Sequence, residues 1–261
     1  MELRDRHVVV TGAAGGIGSA VARRFAAEGA RVLAADLDEA GARAVAEEIG
    51  HTAARVDARS EDSIRALVAG ATEANGPIDL FFSTAGVAGP PGGPEGDNAA
   101  WQAIWEINVM AHVWAARAVL PGMVERGEGY LVSTASAAGL LTQVDALAYS
   151  ATKHAAVAVA EWLAINYRDS GVRVSCVCPQ AVRTPMLEVA AAGSAGMRSM
   201  EASGAILEPE DVAEAVVAGV REERFLILPH PEVARYMAHR AHDPDRWLEG
   251  MRRFVREGSS A

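Results

Sequence analysis

The sequence predicts an α/β fold of the Rossmann type: a doubly wound parallel sheet of about seven strands with helices on both faces. Two observations carry that expectation. Short apolar runs rich in β-branched residues alternate along the chain with helical stretches, and a glycine-rich turn separates the first run from the first helix. Composition agrees. Half of the 261 residues are hydrophobic but only 5% are aromatic, so alanine and valine do most of the filling, which suits helices packed closely on a sheet. A chain of this length can bury one large core, and 1–261 reads as a single domain.

The elements follow in order. His7–Val10 is an unbroken β-branched run, as expected of a buried strand. Arg31–Ala35, Thr52–Val56, Ile78–Ser83, Tyr130–Thr134, Val172–Val177 and Phe225–Leu228 repeat the pattern. Between them lie helical stretches at Ile17–Glu28, Glu39–Ile49, Glu61–Asn75, Asn98–Arg126, Leu147–Asp169 and Pro209–Glu222. The glycine- and proline-rich loop Val87–Asp97 follows a strand end and is expected to rim a cleft. Residues 185–207 break the rhythm and carry Met186, Met197 and Met200 among glycines. They read as a lid over an apolar substrate or, more plainly, as a surface loop or a packed helix. The tail, 229–261, interleaves Tyr236, Met237, Trp247, Met251 and Phe254 with arginines. It is expected to pack on the body or on another subunit.

Thr11-Gly12-Ala13-Ala14-Gly15-Gly16-Ile17-Gly18 joins the first strand to the first helix. Strand, glycine turn and helix form the context in which backbone amides at a helix start meet a diphosphate. Asp36 closes the second strand, about 20 residues past the glycines, where an acid would hold a ribose diol; the competing reading is a cap for the next helix.

Tyr149 and Lys153 are four residues apart on a predicted helix and share a face, and Ser136 lies thirteen residues before the tyrosine. A phenol titrates near pH 10. A cation at about 4 Å, worth about 4 kcal/mol at an effective dielectric of about 20, would lower it by roughly 3 units. On its own the pair also fits a half-buried aromatic beside a solvated charge.

Taken together, Thr-Gly-x-x-x-Gly-x-Gly at Thr11–Gly18 with Ser136, Tyr149 and Lys153 resembles the short-chain dehydrogenase/reductase family, over roughly residues 5–230. The glycine spacing is neither Gly-x-Gly-x-x-Gly nor the spacing of the epimerase branch. The resemblance implies hydride transfer between a nicotinamide and a secondary alcohol or ketone, with catalytic Asn108, Ser136, Tyr149 and Lys153. Tyr149 would be base in oxidation and acid in reduction. Ser136 would hold the substrate oxygen, and Lys153 would lower the tyrosine pKa and hold the nicotinamide ribose. Asn108 would hold a water linked to the lysine, beside its plain role of tying a helix to backbone. The cofactor set would be Gly12, Gly16, Ile17, Gly18, Asp36, Leu37, Asp57, Ala85, Gly86, Tyr149, Lys153, Val182 and Thr184. Asp36, with no arginine beside it, favours NAD over NADP. Two positions depart from the family pattern. Ser83-Thr84-Ala85-Gly86 stands where Asn-Asn-Ala-Gly is usual, and Gln180 follows Pro179 where glycine is usual. Gln180 either lines the substrate pocket or points away; with Ser136 and Met186 it makes up the expected substrate contacts.

The substrate expected is hydrophobic, a hydroxysteroid or similar alcohol. A carbonyl or 3-oxoacyl reductase is the first alternative, and an NAD-sensing regulator without turnover is the second. The family also suggests a homo-oligomer, tetramer or dimer. A net charge of −10 and a pI near 5.2 argue against nucleic acid and anionic membranes. No apolar stretch is expected to reach membrane-span length, and the charged start is unlike a signal sequence, so a cytoplasmic protein is expected. Cys176 and Cys178 share one sheet face and read as core residues rather than a redox or metal pair. No metal site is expected, since the histidines show no zinc spacing.

Overall fold

The computed structural model describes residues 1–89, 91–189 and 206–258. Seven parallel strands form one sheet: β1 (His7–Thr11), β2 (Arg31–Asp36), β3 (Thr52–Arg55), β4 (Leu80–Ser83), β5 (Gly129–Thr134), β6 (Val172–Val177) and β7 (Leu226–Ile227). Their order in the sheet is β3-β2-β1-β4-β5-β6-β7. The chain winds outward from β1 to β3, then returns to lay β4 on the other side of β1. The order therefore reverses between β1 and β4, and a crevice opens there beyond the strand ends.

Alternation along each strand sorts the core into two layers. Val8, Val10, Ala34, Leu80, Phe82 and Val132 face α1 (Gly16–Ala27), α2 (Glu39–Ile49) and a helix near the carboxyl end of the sequence, Pro209–Arg221. Phe25 of α1 meets Phe82 edge to face at 6.0 Å, a geometry worth about 0.5–1.5 kcal/mol beyond burial. Val9, Leu33, Phe81, Leu131, Val174, Cys176 and Cys178 face the opposite layer. That layer is α3 (Glu61–Asn75), α4 (Asn98–Trp105) continued by α5 (Ala111–Arg126), and, after the short α6 (Ala138–Leu141), the long α7 (Leu147–Tyr167). The two cysteines are free and buried, with sulfurs 3.7 Å apart.

Two expectations are corrected. The stretch Asn98–Arg126 is not one α-helix: Glu106–Met110 is a π-helical turn, the kind of one-residue insertion found at functional positions, and Asn108 lies in it. The same stretch is also long and apolar enough to cross a membrane by length and composition, but half of its apolar window is buried inside the protein. It packs on α3, α7, β4 and β5, and Arg117 reaches Glu61 on α3 at 2.5 Å, as in a core helix.

After β6 come α8 (Pro185–Val189), α9 (Pro209–Arg221), β7, α10 (Glu232–His242) and α11 (Pro244–Gly258). Most of the expected lid, 190–205, lies outside the described residues. Its two flanks meet, because Val182 and Leu207 form a parallel bridge. His230 locks the exits of β6 and β7 together: its Nδ1 accepts from Gln180 N at 3.2 Å, leaving Nε2–H to face the Ala181 carbonyl at 3.2 Å.

Candidate active site

One cavity of about 690 Å³ occupies the crevice. The glycine turn makes one end of it. Gly12 has φ of +70°, and a Cβ there would sit 2.9 Å from Ala85 N, so the turn presses directly against the end of β4. A Cβ on Gly18 would lie 2.0 Å from the Gly12 carbonyl oxygen, which brings the first turn of α1 into contact with the loop. That helix begins at Gly15 in extended backbone with no side-chain cap, so its first amides are left for an anion. Asp36 accepts from Ala14 N and from Asp38 N, each at 3.0 Å. The capping alternative for Asp36 is overturned, because Asp38 caps α2 by accepting from Gly41 N at 3.1 Å. Asp36 instead spans from β2 to the glycine turn.

Farther along this wall, Asp57 accepts from Arg59 N and Nε at 2.9 and 3.2 Å. Hydrogen bonding from Arg59 holds the Asp57 carboxyl below its ordinary range. The described cations lining the cavity are Arg59 and Lys153, and Arg59 is already paired. These residues fit a dinucleotide: bare backbone where a diphosphate would lie, and a carboxylate where ribose hydroxyls would be accepted and a 2′-phosphate repelled.

The other end is built by β5 and α7. Ser136 follows β5; its Oγ accepts from Ala138 N at 3.1 Å and faces the Pro179 carbonyl at 3.4 Å. Tyr149 and Lys153 lie one turn apart on α7, and Lys153 Nζ sits 5.6 Å from the tyrosine ring centre and donates to the Thr134 carbonyl at 3.1 Å. Gly139 allows this packing, since a Cβ there would meet the Lys153 carbonyl oxygen at 2.4 Å. Ser150 also helps: its hydroxyl accepts from Gln143 N at 2.8 Å and donates to Gln143 O at 3.2 Å, closing the loop ahead of α7.

Asn108, fully buried, sits behind the cavity wall. Its Nδ2 donates to Val87 O at 2.9 Å and Thr152 Oγ1 at 3.2 Å, while Oδ1 accepts from Val87 N at 3.0 Å. This is the tie between helix and backbone expected as its plain role. A Cβ on Gly86 would lie 3.3 Å from Asn108 Oδ1 and 3.4 Å from Lys153 Nζ, so Gly86 lets the two groups approach the same point.

The electrostatics correct one expectation. Tyr149 is not lowered by the lysine in the protein alone: burial raises it above the ordinary phenol value, and a hydrogen bond with Ser136 pulls it back in part. Lys153 is the group brought down, to about 8, chiefly by burial. Loss of water penalises the ammonium of the buried Lys153 and the phenolate of the half-buried Tyr149, and at a ring distance of 5.6 Å their attraction does not offset this. His112, one turn beyond Asn108, is buried and pushed down to about 3 by the same loss of water, with a smaller push from the Lys153 charge. It stays neutral beside the pair.

Gly12, Gly16, Ile17, Gly18, Asp36, Leu37, Asp57, Ala85, Gly86, Ser136, Tyr149, Lys153, Gln180, Val182, Thr184 and Met186 all line this one cavity. Sequence reasoning missed Arg59, Leu141, Gln143 and four residues of the tail, Tyr236, Trp247, Met251 and Phe254. The tail carried a readable signal: residues 247, 251 and 254 are apolar at helical spacing.

A glycine-turn groove that runs into a tyrosine and a buried lysine one helical turn apart fits an enzyme that moves a hydride to or from a nicotinamide, so the fold and site point to a dinucleotide-dependent oxidoreductase. Its kin narrow this. The short chain dehydrogenase family model matches residues 6–194, and the chain belongs to that family. It is 38% identical over 242 residues to a 1-deoxy-11-beta-hydroxypentalenate dehydrogenase of Streptomyces exfoliatus, covering 89% of this chain and 86% of the relative. It is 36% identical over 219 residues to a cis-4-hydroxycyclohexanecarboxylate dehydrogenase of Sinomonas cyclohexanicum, covering 81% and 88%. A crystal structure of a short chain dehydrogenase/reductase from Burkholderia phymatum in complex with NAD superposes with a TM-score of 0.83 at 29% identity, over 94% of this chain and 96% of that one. The protein is an NAD-dependent oxidoreductase acting on a secondary alcohol or the matching ketone.

Proposed function

We propose that the substrate is a hydrophobic secondary alcohol, oxidised by one catalytic unit formed from the whole chain. The observation that carries this reading is the convergence of Ser136, Tyr149 and Lys153 on the same cavity as the glycine turn. Relatives named for dehydrogenation of a hydroxypentalenate and a hydroxycyclohexanecarboxylate support a hydroxyl on a carbocyclic skeleton.

When bound, NAD supplies the hydride acceptor. The chain does the rest. Gly12, Gly16, Ile17 and Gly18 receive the diphosphate, Asp36 with Leu37 the adenine ribose, and Asp57, Ala85 and Gly86 the rest of the adenosine half. Val182 and Thr184 receive the carboxamide end. Ser136 donates to the substrate oxygen and steadies its developing charge. Tyr149 takes the hydroxyl proton in oxidation and returns it in reduction. Lys153 stabilises the phenolate by charge and holds the nicotinamide ribose, and Asn108 keeps a water in contact with it. Gln180 and Met186, both on the cavity wall, contact the substrate body.

An NADH-formation screen over steroids, terpenoid alcohols, sugar alcohols and hydroxyacyl thioesters tests the reading. Hydrophobic alcohols are expected to turn over, with kcat/KM for NADP at least tenfold below that for NAD. Comparable values for the two cofactors would remove the role given to Asp36, and tight NAD binding with no turnover of any alcohol would favour an NAD sensor.

A homo-oligomer fits the outer surface, where Trp162 and Ile165 of α7 are 58% and 73% exposed and Trp105 of α4 and Val124 of α5 are exposed as well. A solution mass that is a multiple of 27.3 kDa by light scattering is expected, and Ile165→Glu should shift it toward the monomer; a monomeric parent would reject the reading. The acidic balance supports a cytoplasmic enzyme with small-molecule partners, neither nucleic acid nor membrane, which cell fractionation checks.

A further inference from the structure

The tail helices do more than cover the body. On α11, Trp247, Met251 and Phe254 fall at i, i+4 and i+7, one stripe of the helix. All three are half-buried and line the cavity that holds Ser136 and Tyr149. Arg246, Glu249, Arg252, Arg253 and Arg256 on the same helix are exposed. The stripe is held in place. Tyr236 of α10 reaches the same cavity and its ring lies 6.3 Å from that of Trp247, and Arg240 donates to the Leu140 carbonyl, tying α10 to α6 just after Ser136.

The chemistry of this wall differs from that of the rest of the cavity. The charged groups among its described lining residues are Asp36, Asp57, Arg59 and Lys153. Asp36 ends β2, and Asp57 and Arg59 follow β3, at the dinucleotide's adenosine end. The tail contributes an indole, a phenol, a phenyl ring and a thioether, and Leu141, Met186 and Leu187 add to the apolar lining of the cavity. Such a surface gains by covering apolar rings, while a highly hydroxylated or charged body would lose water there without replacement partners.

We propose that α11 is the specificity wall of this enzyme: Trp247, Met251 and Phe254, backed by Tyr236, clasp the rigid alicyclic body of the substrate while Ser136 and Tyr149 hold its oxygen. The inference deepens the reading of a hydrophobic secondary alcohol and rests on it.

The test reads affinity apart from turnover. Camphor, a bicyclic ketone, and 2-butanone are titrated by calorimetry into the NAD-loaded full chain. The parent is expected to prefer camphor by at least tenfold. Trp247→Ala, Met251→Ala and Phe254→Ala should each collapse that preference, while Leu248→Ala, on the 64%-exposed side of α11, should keep it. Because a truncated side chain could loosen the helix, Met251→Trp provides an opposite probe; by filling the cavity it should exclude camphor more than 2-butanone. A parent without preference for camphor, truncations that weaken both ketones equally, or a Met251→Trp variant that binds camphor like the parent would overturn the proposal. Failure of the hydride-transfer reading looks different: camphor binds, discriminated by the α11 variants, yet no alcohol in the screen yields NADH.

Discussion

Tyr149→Phe is expected to lower kcat for alcohol oxidation about a thousandfold, inside the 10²–10⁴ span of a positioned proton-transfer group. NAD should still bind, because the glycine turn and Asp36 are untouched. The pH profile gives the sharper check. Burial raises the phenol and brings Lys153 down to about 8, so the pair loses its first proton near pH 8. Which group carries the remaining proton is a property of the pair rather than of either residue. The reactive form is phenolate beside ammonium, one proton in all. Oxidation should therefore rise about tenfold per pH unit on the acid side and level off above about 8, while reduction, which consumes the two-proton form, falls over the same window. Lys153→Met should remove that inflection and move activity toward the raised phenol value. Steady-state rates across pH in both directions decide it; a Tyr149→Phe variant with near-parental kcat, or an oxidation rate indifferent to pH, would end the assignment of Tyr149 as the proton acceptor.

Gly18→Ala should abolish measurable NAD affinity, with a loss of at least 100-fold in Kd. The new Cβ would sit 2.0 Å from the Gly12 carbonyl oxygen and 2.7 Å from its carbon. Those contacts are backbone, so no side chain can swing aside; either α1 moves away from the turn or the turn opens. Gly12 cannot retreat freely, because its φ of +70° already sets it against Ala85 and Thr84. A 100-fold loss corresponds to about 2.7 kcal/mol, within the range of about 1–3 kcal/mol seen for overpacking. Gly50→Ala is a useful contrast: its Cβ meets nothing within 4 Å, but its φ is +74° at the end of α2, so it should cost stability without acting at the cofactor turn. NAD titration by fluorescence, alongside thermal melts, separates the two. A Gly18→Ala variant that binds NAD as well as the parent would sink the cradle assignment.

Much of this site was readable from local pattern. Short apolar, β-branched runs and a glycine turn are short-range signals, and the four-residue step from Tyr149 to Lys153 needs only a helix to put both on one face. The expected strands recur within a few residues, and Gly12, Asp36, Ser136 and Tyr149 all reach one cavity. The less visible features depended on contacts between distant segments. Asp36 could have capped its own helix, and only the approach of Ala14 N to its carboxylate, across 22 residues, shows that it braces the glycine turn. The π turn at Asn108 is legible only once Val87 and Thr152 are seen to hold the side chain.

The amino-acid order by itself determined the alternation of strand and helix, the glycine turn and the facing of Tyr149 with Lys153, because each depends on residues within a turn or two of one another. Tertiary structure alone decided the titration of that pair and the destination of the tail. The first follows from the burial of Lys153 and the partial burial of Tyr149 at the cavity wall. The second follows from where α10 and α11 come to rest, which no local periodicity encodes: Trp247, Met251 and Phe254 announce an apolar face, and only the folded chain brings that face to the cavity that Ser136 and Tyr149 also line.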